Sequence, residues 1–143
     1  MKRLILLWTG IVIGGSIIAA PAKFQVESLT RPVALQVGRA QFLWVTYAEI
    51  AAIIVIAVMV AVSWHKRELN ARFAFLFAAA LAIFAFQHLG LMPLLQIRSN
   101  AIIAGEEVGE SKLHLVYVFA ESIKCIILLV AGCLADHTLK SPK

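Results

Sequence analysis

Four long apolar stretches run along the chain, and polar clusters separate them. They cover residues 4–20, 40–64, 73–95 and 113–135. A helix of about 20 apolar residues crosses the hydrocarbon core of a bilayer, and it satisfies its own backbone hydrogen bonds there. The pattern therefore predicts an all-α bundle of four transmembrane helices, with residues 1–143 forming a single integral membrane domain.

The two ends of the first stretch raise separate questions. Lys2 and Arg3 precede it and Ala20-Pro21-Ala22 follows it, which is also the form of a secretory signal. A proline beside the cleavage position disfavours cleavage, so we predict a retained helix. Thr30 followed by Pro32 is a pattern that starts helices, and the second helix is therefore expected to extend outwards from about Pro32.

The basic residues lie in short clusters at the ends of the apolar stretches. This distribution is typical of membrane topology rather than of a nucleic-acid surface, although the net charge is +5. The positive-inside rule places both termini in the cytoplasm, because the two sides carry seven and five basic residues. The first side has Lys2, Arg3, Lys66, Arg67, Arg72, Lys140 and Lys143, and the second has Lys23, Arg31, Arg39, Arg98 and Lys112.

The composition supports a lipid environment. Hydrophobic residues make up 62% of the chain and charged residues 15%, against about a quarter charged in soluble domains. Trp8, Trp44 and Trp64 lie towards helix ends, and we predict that all three anchor at the membrane interface. Gly10 and Gly14 form a G-x-x-x-G motif, which favours close helix packing within the bundle.

Ionisable residues inside the predicted helices need a reason, because each costs about 2.5–3.5 kcal/mol on insertion scales. At about 1.5 Å per residue, Glu49, Glu121 and Lys124 all fall near the midplane. Their neighbours on the same helix faces extend the polar surface outwards. The predicted ligand or proton site comprises Arg39, Glu49, Gln87, His88, Arg98, His114, Tyr117, Glu121 and Lys124.

These residues predict a polar pocket that opens outwards above an aliphatic cytoplasmic half. Two carboxylates at the depth of one ammonium leave an excess negative charge, so Arg39 or His88 compensates it or one carboxyl keeps its proton. We expect Lys124 to pair with Glu49 and Glu121 to hold the shared proton. In the structural alternative, the charges only fix the register of the helices.

Further local features constrain the chemistry. Pro93 predicts a kink or an end in the third helix, and residues 98–112 predict a flexible acidic connector. No metal-site or nucleotide-binding motif is present, so neither a metal nor an organic cofactor is predicted. Haem held by His88 and His114 is the alternative, because these two imidazoles could lie at equal depth.

Short motifs spread along the chain resemble a family of small bacterial four-helix membrane proteins of uncharacterised function. They include Ala20-Pro21-Ala22-Lys23-Phe24, Val37-Gly38-Arg39 and Leu94-Leu95-Gln96-Ile97-Arg98, with Glu49, His114, Glu121 and Lys124. More distantly, the architecture is similar to the anthrone-oxygenase-like and transmembrane-protein-205-like groups. The resemblance implies a bacterial inner-membrane protein in which these polar residues belong to the family pattern.

Three functions follow as hypotheses. In the first, the protein binds or transports a small lipophilic or weakly anionic ligand, with a carboxylate that shares a proton. In the second, it is a cofactor-free enzyme on a lipophilic substrate, with Glu121, His88 or Tyr117 as candidate catalytic residues. In the third, it is an accessory subunit of a larger membrane complex or a homo-oligomer, with the polar stripe facing a partner.

Overall fold

The computed structural model describes residues 1–67 and 69–135, which form four long helices without any strand. Helix α1 spans Lys2–Gln25, α2 spans Arg31–His65, α3 spans Ala71–Ile103 and α4 spans Leu113–Leu134. Each is long and apolar enough to cross a membrane, and large apolar side chains cover their outward surfaces. The predicted all-α architecture with four such helices is confirmed.

Two of the helices contain a π-helical segment directly before a proline. In α1 the segment is Ile13–Ala19, before Pro21, and in α3 it is Phe86–Leu91, before Pro93. Proline has no N–H to donate and its ring crowds the carbonyl four residues earlier, so the helix widens instead of closing its normal bonds. Both segments lie beside the buried polar residues described below.

The helices are antiparallel neighbours in the order α2, α1, α4, α3, and the last part of α3 returns to the start of α2. One end of the bundle holds Met1, His65, Ala71 and Leu134, and we call it the N-terminal end. The opposite end, which we call the loop end, holds the 26–30 and 104–112 connections. At the loop end the Lys23 ammonium lies over Gly38 and 5.2 Å from the Phe42 ring centroid.

The apolar core fills the half of the bundle at the N-terminal end. Trp8 and Phe77 meet edge to face with ring centroids 6.3 Å apart. Around them pack the remaining buried residues, namely Ile5, Val12, Ala52, Ile56, Phe73, Ala80, Cys125, Leu128, Ala131 and Ala135. The sequence predicts aliphatic packing in this half, and the structure corrects this, because the rings of Trp8, Phe73 and Phe77 pack against one another in the core.

The structure moves several predicted helix ends. Helix α2 begins at Arg31, as the Thr30 and Pro32 pattern predicts. Helix α3 does not end at Pro93: the widened turn absorbs the proline and the helix continues to Ile103. The predicted connector at 98–112 is therefore wrong for its first part. His137, Lys140 and Lys143, the last two of which entered the topology argument, lie outside the described residues.

Two packing predictions are also wrong. Trp8 is fully buried, because it lies in line with Ile5 and Val12 on the inner face of α1, whereas Trp44 and Trp64 are exposed. Gly10 is exposed like Gly14, and a Cβ at either position would meet nothing within 4 Å. The close approach of α1 to α2 occurs instead at Gly15, where a Cβ would lie 2.5 Å from Val45 Cγ2.

Candidate functional site

Two carboxylates from different helices meet one ammonium at the boundary of the apolar core that faces the loop end. Lys124 Nζ on α4 lies 2.8 Å from Glu49 Oε2 on α2 and 3.0 Å from Glu121 Oε2, one turn earlier on α4. The three side chains are 0–1% exposed. The predicted pairing of Lys124 with Glu49 across the helices is confirmed.

The other two helices each donate one hydrogen bond to this centre. Trp8 Nε1 on α1 donates to Glu49 Oε2 at 2.7 Å, and Gln87 Nε2 on α3 donates to Glu121 Oε2 at 2.5 Å. The charged cluster of Trp8, Glu49, Gln87, Glu121 and Lys124 therefore joins all four helices. We refer to these five residues as the buried charge cluster.

Within the described part of the chain, each of the two carboxyl groups has one oxygen that is hydrogen-bonded and one that is not. Each Oε2 accepts hydrogen bonds, whereas Glu49 Oε1 and Glu121 Oε1 are buried without a partner among the described residues. Buried polar atoms are nearly always hydrogen-bonded. An unpartnered carboxyl oxygen is the natural position for a bound proton or a water molecule, and the cluster has one negative charge too many for its single ammonium.

Aromatic rings close the side of the cluster that faces α3. The Lys124 ammonium lies 5.5 Å from the Phe84 ring centroid, which is within the range of a cation–π contact. His88 packs against the same ring at 4.3 Å between centroids, and its Nε2 is buried without a described partner. His88 is thus part of the surroundings of the cluster, although it donates to neither carboxylate.

A narrow cavity leads from the cluster towards the loop end. Its volume of about 10 Å³ suits a single water molecule. It is lined by both buried and exposed residues from α1, α2 and α4, namely Ser16, Ile17, Phe42, His114, Tyr117, Val118 and Glu121. Tyr117 is buried and its ring meets that of Phe42 edge to face, whereas His114 is exposed. Three of the predicted site residues on α4, namely His114, Tyr117 and Glu121, therefore form one wall of this space.

Comparisons with protein-family models, curated proteins and solved structures find no match to this chain. The family resemblance stays a prediction.

Two of the predicted site residues lie elsewhere. Arg39 is exposed near the loop end, about 15 Å along α2 from Glu49, and its guanidinium donates to Asn100 Oδ1 on α3. Arg98 donates to the carbonyl oxygen of Gly109 in the following connection. These two arginines tie the loop end together. Arg39 therefore does not compensate the second carboxylate, contrary to one of the sequence-based alternatives.

The described residues do not form a metal site. Within residues 1–67 and 69–135, no group of three or more His, Cys, Asp or Glu side chains is placed to hold a metal ion. His88 and His114, the haem alternative, have different surroundings, since His88 packs on Phe84 and His114 lies at the mouth of the cavity.

Two members of the site were missed from the sequence. The position of Trp8 towards a helix end predicts an interfacial side chain, although its three- and four-residue spacing from Ile5 and Val12 marks the inner face of α1. Ser16 is the second, and it belongs to none of the motifs singled out from the sequence. Its hydroxyl is buried without a described partner, and it lines the cavity next to Tyr117. The same spacing, extended from Val12, places Ser16 on that face.

Proposed function

We propose that this chain is a four-helix integral membrane protein that binds a proton in its buried charge cluster. This proton is coupled to the binding or transport of a small lipophilic or weakly anionic ligand. The observation that carries the proposal is the contact of two fully buried carboxylates with one ammonium, at 2.8 and 3.0 Å.

The charge balance favours a bound proton. Charged groups in a low-dielectric interior are stable only when they are paired and hydrogen-bonded. Lys124 neutralises one carboxylate, and Arg39, which could neutralise the other, is occupied at the loop end. Glu49 Oε2 accepts hydrogen bonds from both Lys124 and Trp8. Glu121 Oε2, in contrast, accepts one from Gln87 and meets Lys124 as an ion pair at the longer distance of 3.0 Å. Glu49 is therefore the better-stabilised anion. Glu121 is then the carboxyl that holds the proton.

The membrane setting is part of the proposal. The apolar outer surface of the four helices favours lipid contact. The seven basic residues against five that the sequence assigns to the two sides favour the cytoplasm for both termini. This orientation directs the cavity beside Glu121 away from the cytoplasm. A bacterial inner membrane is the setting that the sequence resemblance implies.

The ligand has to enter where the bundle is least filled. The cavity between α1, α2 and α4 holds only about one water molecule, so a larger ligand requires these helices to separate at the loop end. The π-helical segment of α1 provides Ser16 and Ile17 to this wall, and such segments often mark functional sites because their backbone bonding is irregular. A weak acid that arrives there exchanges its proton with Glu121.

Infrared spectroscopy of the full-length protein in lipid nanodiscs tests the proton site. We expect a C=O stretching band of a protonated carboxyl at neutral pH, and we expect Glu121→Gln to remove it. Glu110→Gln is the matched control, because Glu110 is exposed in the 104–112 connection. If the band is absent, or survives in Glu121→Gln, Glu121 does not hold the proton.

Sodium octanoate serves as the probe for a lipophilic weak acid. In a Trp44→Phe, Trp64→Phe background, emission reports Trp8, which touches the cluster through Glu49. Octanoate should change this emission saturably together with the carboxyl band, whereas Glu121→Gln should weaken the response. Acetate should have little effect, because it lacks the apolar chain. An equal response to both salts, or no response to octanoate, would overturn the ligand part of the proposal.

A further inference from the structure

The cavity beside Glu121 has the polar lining of a water site. Two of its lining residues present buried oxygen atoms that have no partner among the described residues, Ser16 Oγ from α1 and Glu121 Oε1 from α4. Ser16 is 9% exposed and Glu121 is 1% exposed. A buried water needs space for one probe-sized sphere and two to four polar partners. The volume of about 10 Å³ and these two oxygens, with Tyr117 beside them, meet both conditions.

The polar residues of α4 connect this space with the loop end. His114, Tyr117 and Glu121 follow one another at intervals of three and four residues, so they lie on one helix face. His114 is exposed, and Glu121 lies about 10 Å further along the helix axis. Tyr117 stands between them and is buried. Both the exposed imidazole of His114 and the buried carboxyl of Glu121 line the cavity.

The surroundings of Glu121 on the other helices offer no comparable route. From α2 it faces Glu49 across Lys124, and from α3 it accepts from Gln87, with His88 held on Phe84 outside the cavity lining. From α1, Trp8 covers Glu49. Towards the N-terminal end the described residues below the cluster form the apolar core, which contains only Cys125 as a titratable side chain.

We propose that Ser16, Tyr117 and Glu121 enclose a binding site for one water molecule, through which Glu121 exchanges its proton with the loop end of the bundle only. The inference rests on the proposed proton site at Glu121 and gives it a direction. On release, the O–H bond at Glu121 Oε1 breaks and the proton passes to the water. The water passes a proton to the imidazole of His114 or to solvent at the loop end. Uptake follows the same steps in reverse.

The water site is tested by hydrogen–deuterium exchange of the Glu121 carboxyl in nanodiscs. Transfer into D2O shifts the C=O band of a protonated carboxyl, so its exchange rate can be followed. Ser16→Val fills the cavity and removes a hydroxyl. We expect exchange to slow by about tenfold or more, the factor associated with loss of one bridging hydrogen bond. Ser16→Ala, which leaves the space open, should slow it less.

Ser122→Val is the matched control for that experiment. Ser122 lies on α4 next to Glu121, but its hydroxyl donates to the Val118 carbonyl and does not line the cavity. The exchange rate of the Glu121 carboxyl in Ser122→Val should equal the rate in the unmodified protein. Unchanged exchange in both Ser16 variants would overturn the water site while leaving the proton site intact. Absence of the Glu121 band in the unmodified protein would instead overturn the proposed function.

The direction of exchange is tested in proteoliposomes of defined orientation. Vesicles with the loop end outside are captured through a Gly109→Cys variant labelled with a membrane-impermeant biotin maleimide. Cys133, which is free and exposed near the N-terminal end, is replaced by alanine in this background. The Cys133→Ala chain without the cysteine at position 109 controls for background capture. A step in external pH should change the carboxyl band in the captured vesicles directly. In the uncaptured vesicles the change should require a protonophore. Equal responses, or the reverse order, would overturn exchange through the loop end.

Discussion

Trp8 Nε1 donates a hydrogen bond to Glu49 Oε2 at 2.7 Å, which connects the first helix with the charged centre of the second. The indole is fully buried and its ring also meets Phe77 from the third helix. Trp8 therefore joins the apolar core to the buried charge cluster. The same indole thus packs against Phe77 and donates a hydrogen bond to Glu49.

Trp8→Phe should lower stability through the lost donor. The ring remains, but Glu49 Oε2 is left with Lys124 alone, and an unsatisfied interaction with a buried charged group costs about 1–3 kcal/mol. Thermal unfolding in detergent, followed by circular dichroism, should show a lower Tm. Trp64→Phe is the control, because Trp64 is 71% exposed on the outer surface and its replacement should leave the Tm nearly unchanged.

The sequence predicts most of the fold because bilayer physics limits the choices. Apolar length fixes the four helices, and the period of the polar residues on α4 correctly brings Tyr117, Glu121 and Lys124 to one face. Depth counting alone placed Glu49 opposite Lys124. The alternative in which Arg39 compensates the second carboxylate is wrong, because a long, exposed arginine pairs with whichever group the neighbouring helix supplies, here Asn100. That partner depends on the return of α3 towards α2, which no local pattern encodes.

The helix ends were harder to predict for a related reason. A proline inside an apolar stretch signals a break, and the sequence does not reveal whether the backbone can widen around it. In α3 it does, through Phe86–Leu91, and Gln87 in this segment reaches Glu121. The side-chain environment of the segment decides whether the helix breaks or widens at the proline. No local sequence pattern therefore predicts the π-helical turns.

Gly15→Ala should be destabilising, although alanine favours helices. Its Cβ would lie 2.5 Å from Val45 Cγ2, so α1 and α2 would have to move apart or Val45 would have to change rotamer. Overpacking of this kind costs about 1–3 kcal/mol. Gly14→Ala, one residue earlier, meets nothing within 4 Å and should be neutral or slightly stabilising. Equal Tm values for the two variants would contradict the close contact at Gly15.

Arg39→Ala tests whether the loop end contributes to the charge balance of the buried charge cluster. The arginine is exposed and bonded to Asn100, so its removal should reduce stability by less than about 1 kcal/mol. The carboxyl band in the infrared spectrum should be unchanged, because the guanidinium does not contact Glu49 or Glu121. A shifted or lost band would mean that Arg39 compensates the cluster after all.

Lys124→Ala should be strongly destabilising, whereas Glu121→Gln should be mild. Lysine removal leaves Glu49 and Glu121 buried without their ammonium, and breaking a buried ion pair from one side costs about 3–5 kcal/mol. Glutamine at position 121 keeps an oxygen that can accept from Gln87 and from Lys124. Thermal unfolding in detergent should therefore give a much lower Tm for Lys124→Ala, and comparable values for the two variants would contradict this account.

A charge-neutral set of variants shows whether electrostatics or lost packing causes that effect. Lys124→Met keeps the length of the side chain and should still be strongly destabilising, because both carboxyls stay without a counter-ion. Adding Glu49→Gln and Glu121→Gln removes the unpaired acids, and we expect the triple variant to recover most of the lost stability. The combined loss of stability should therefore be smaller than the sum of the single losses, which is the non-additivity expected of residues in direct contact. A triple variant no more stable than Lys124→Met would instead assign Lys124 a packing role.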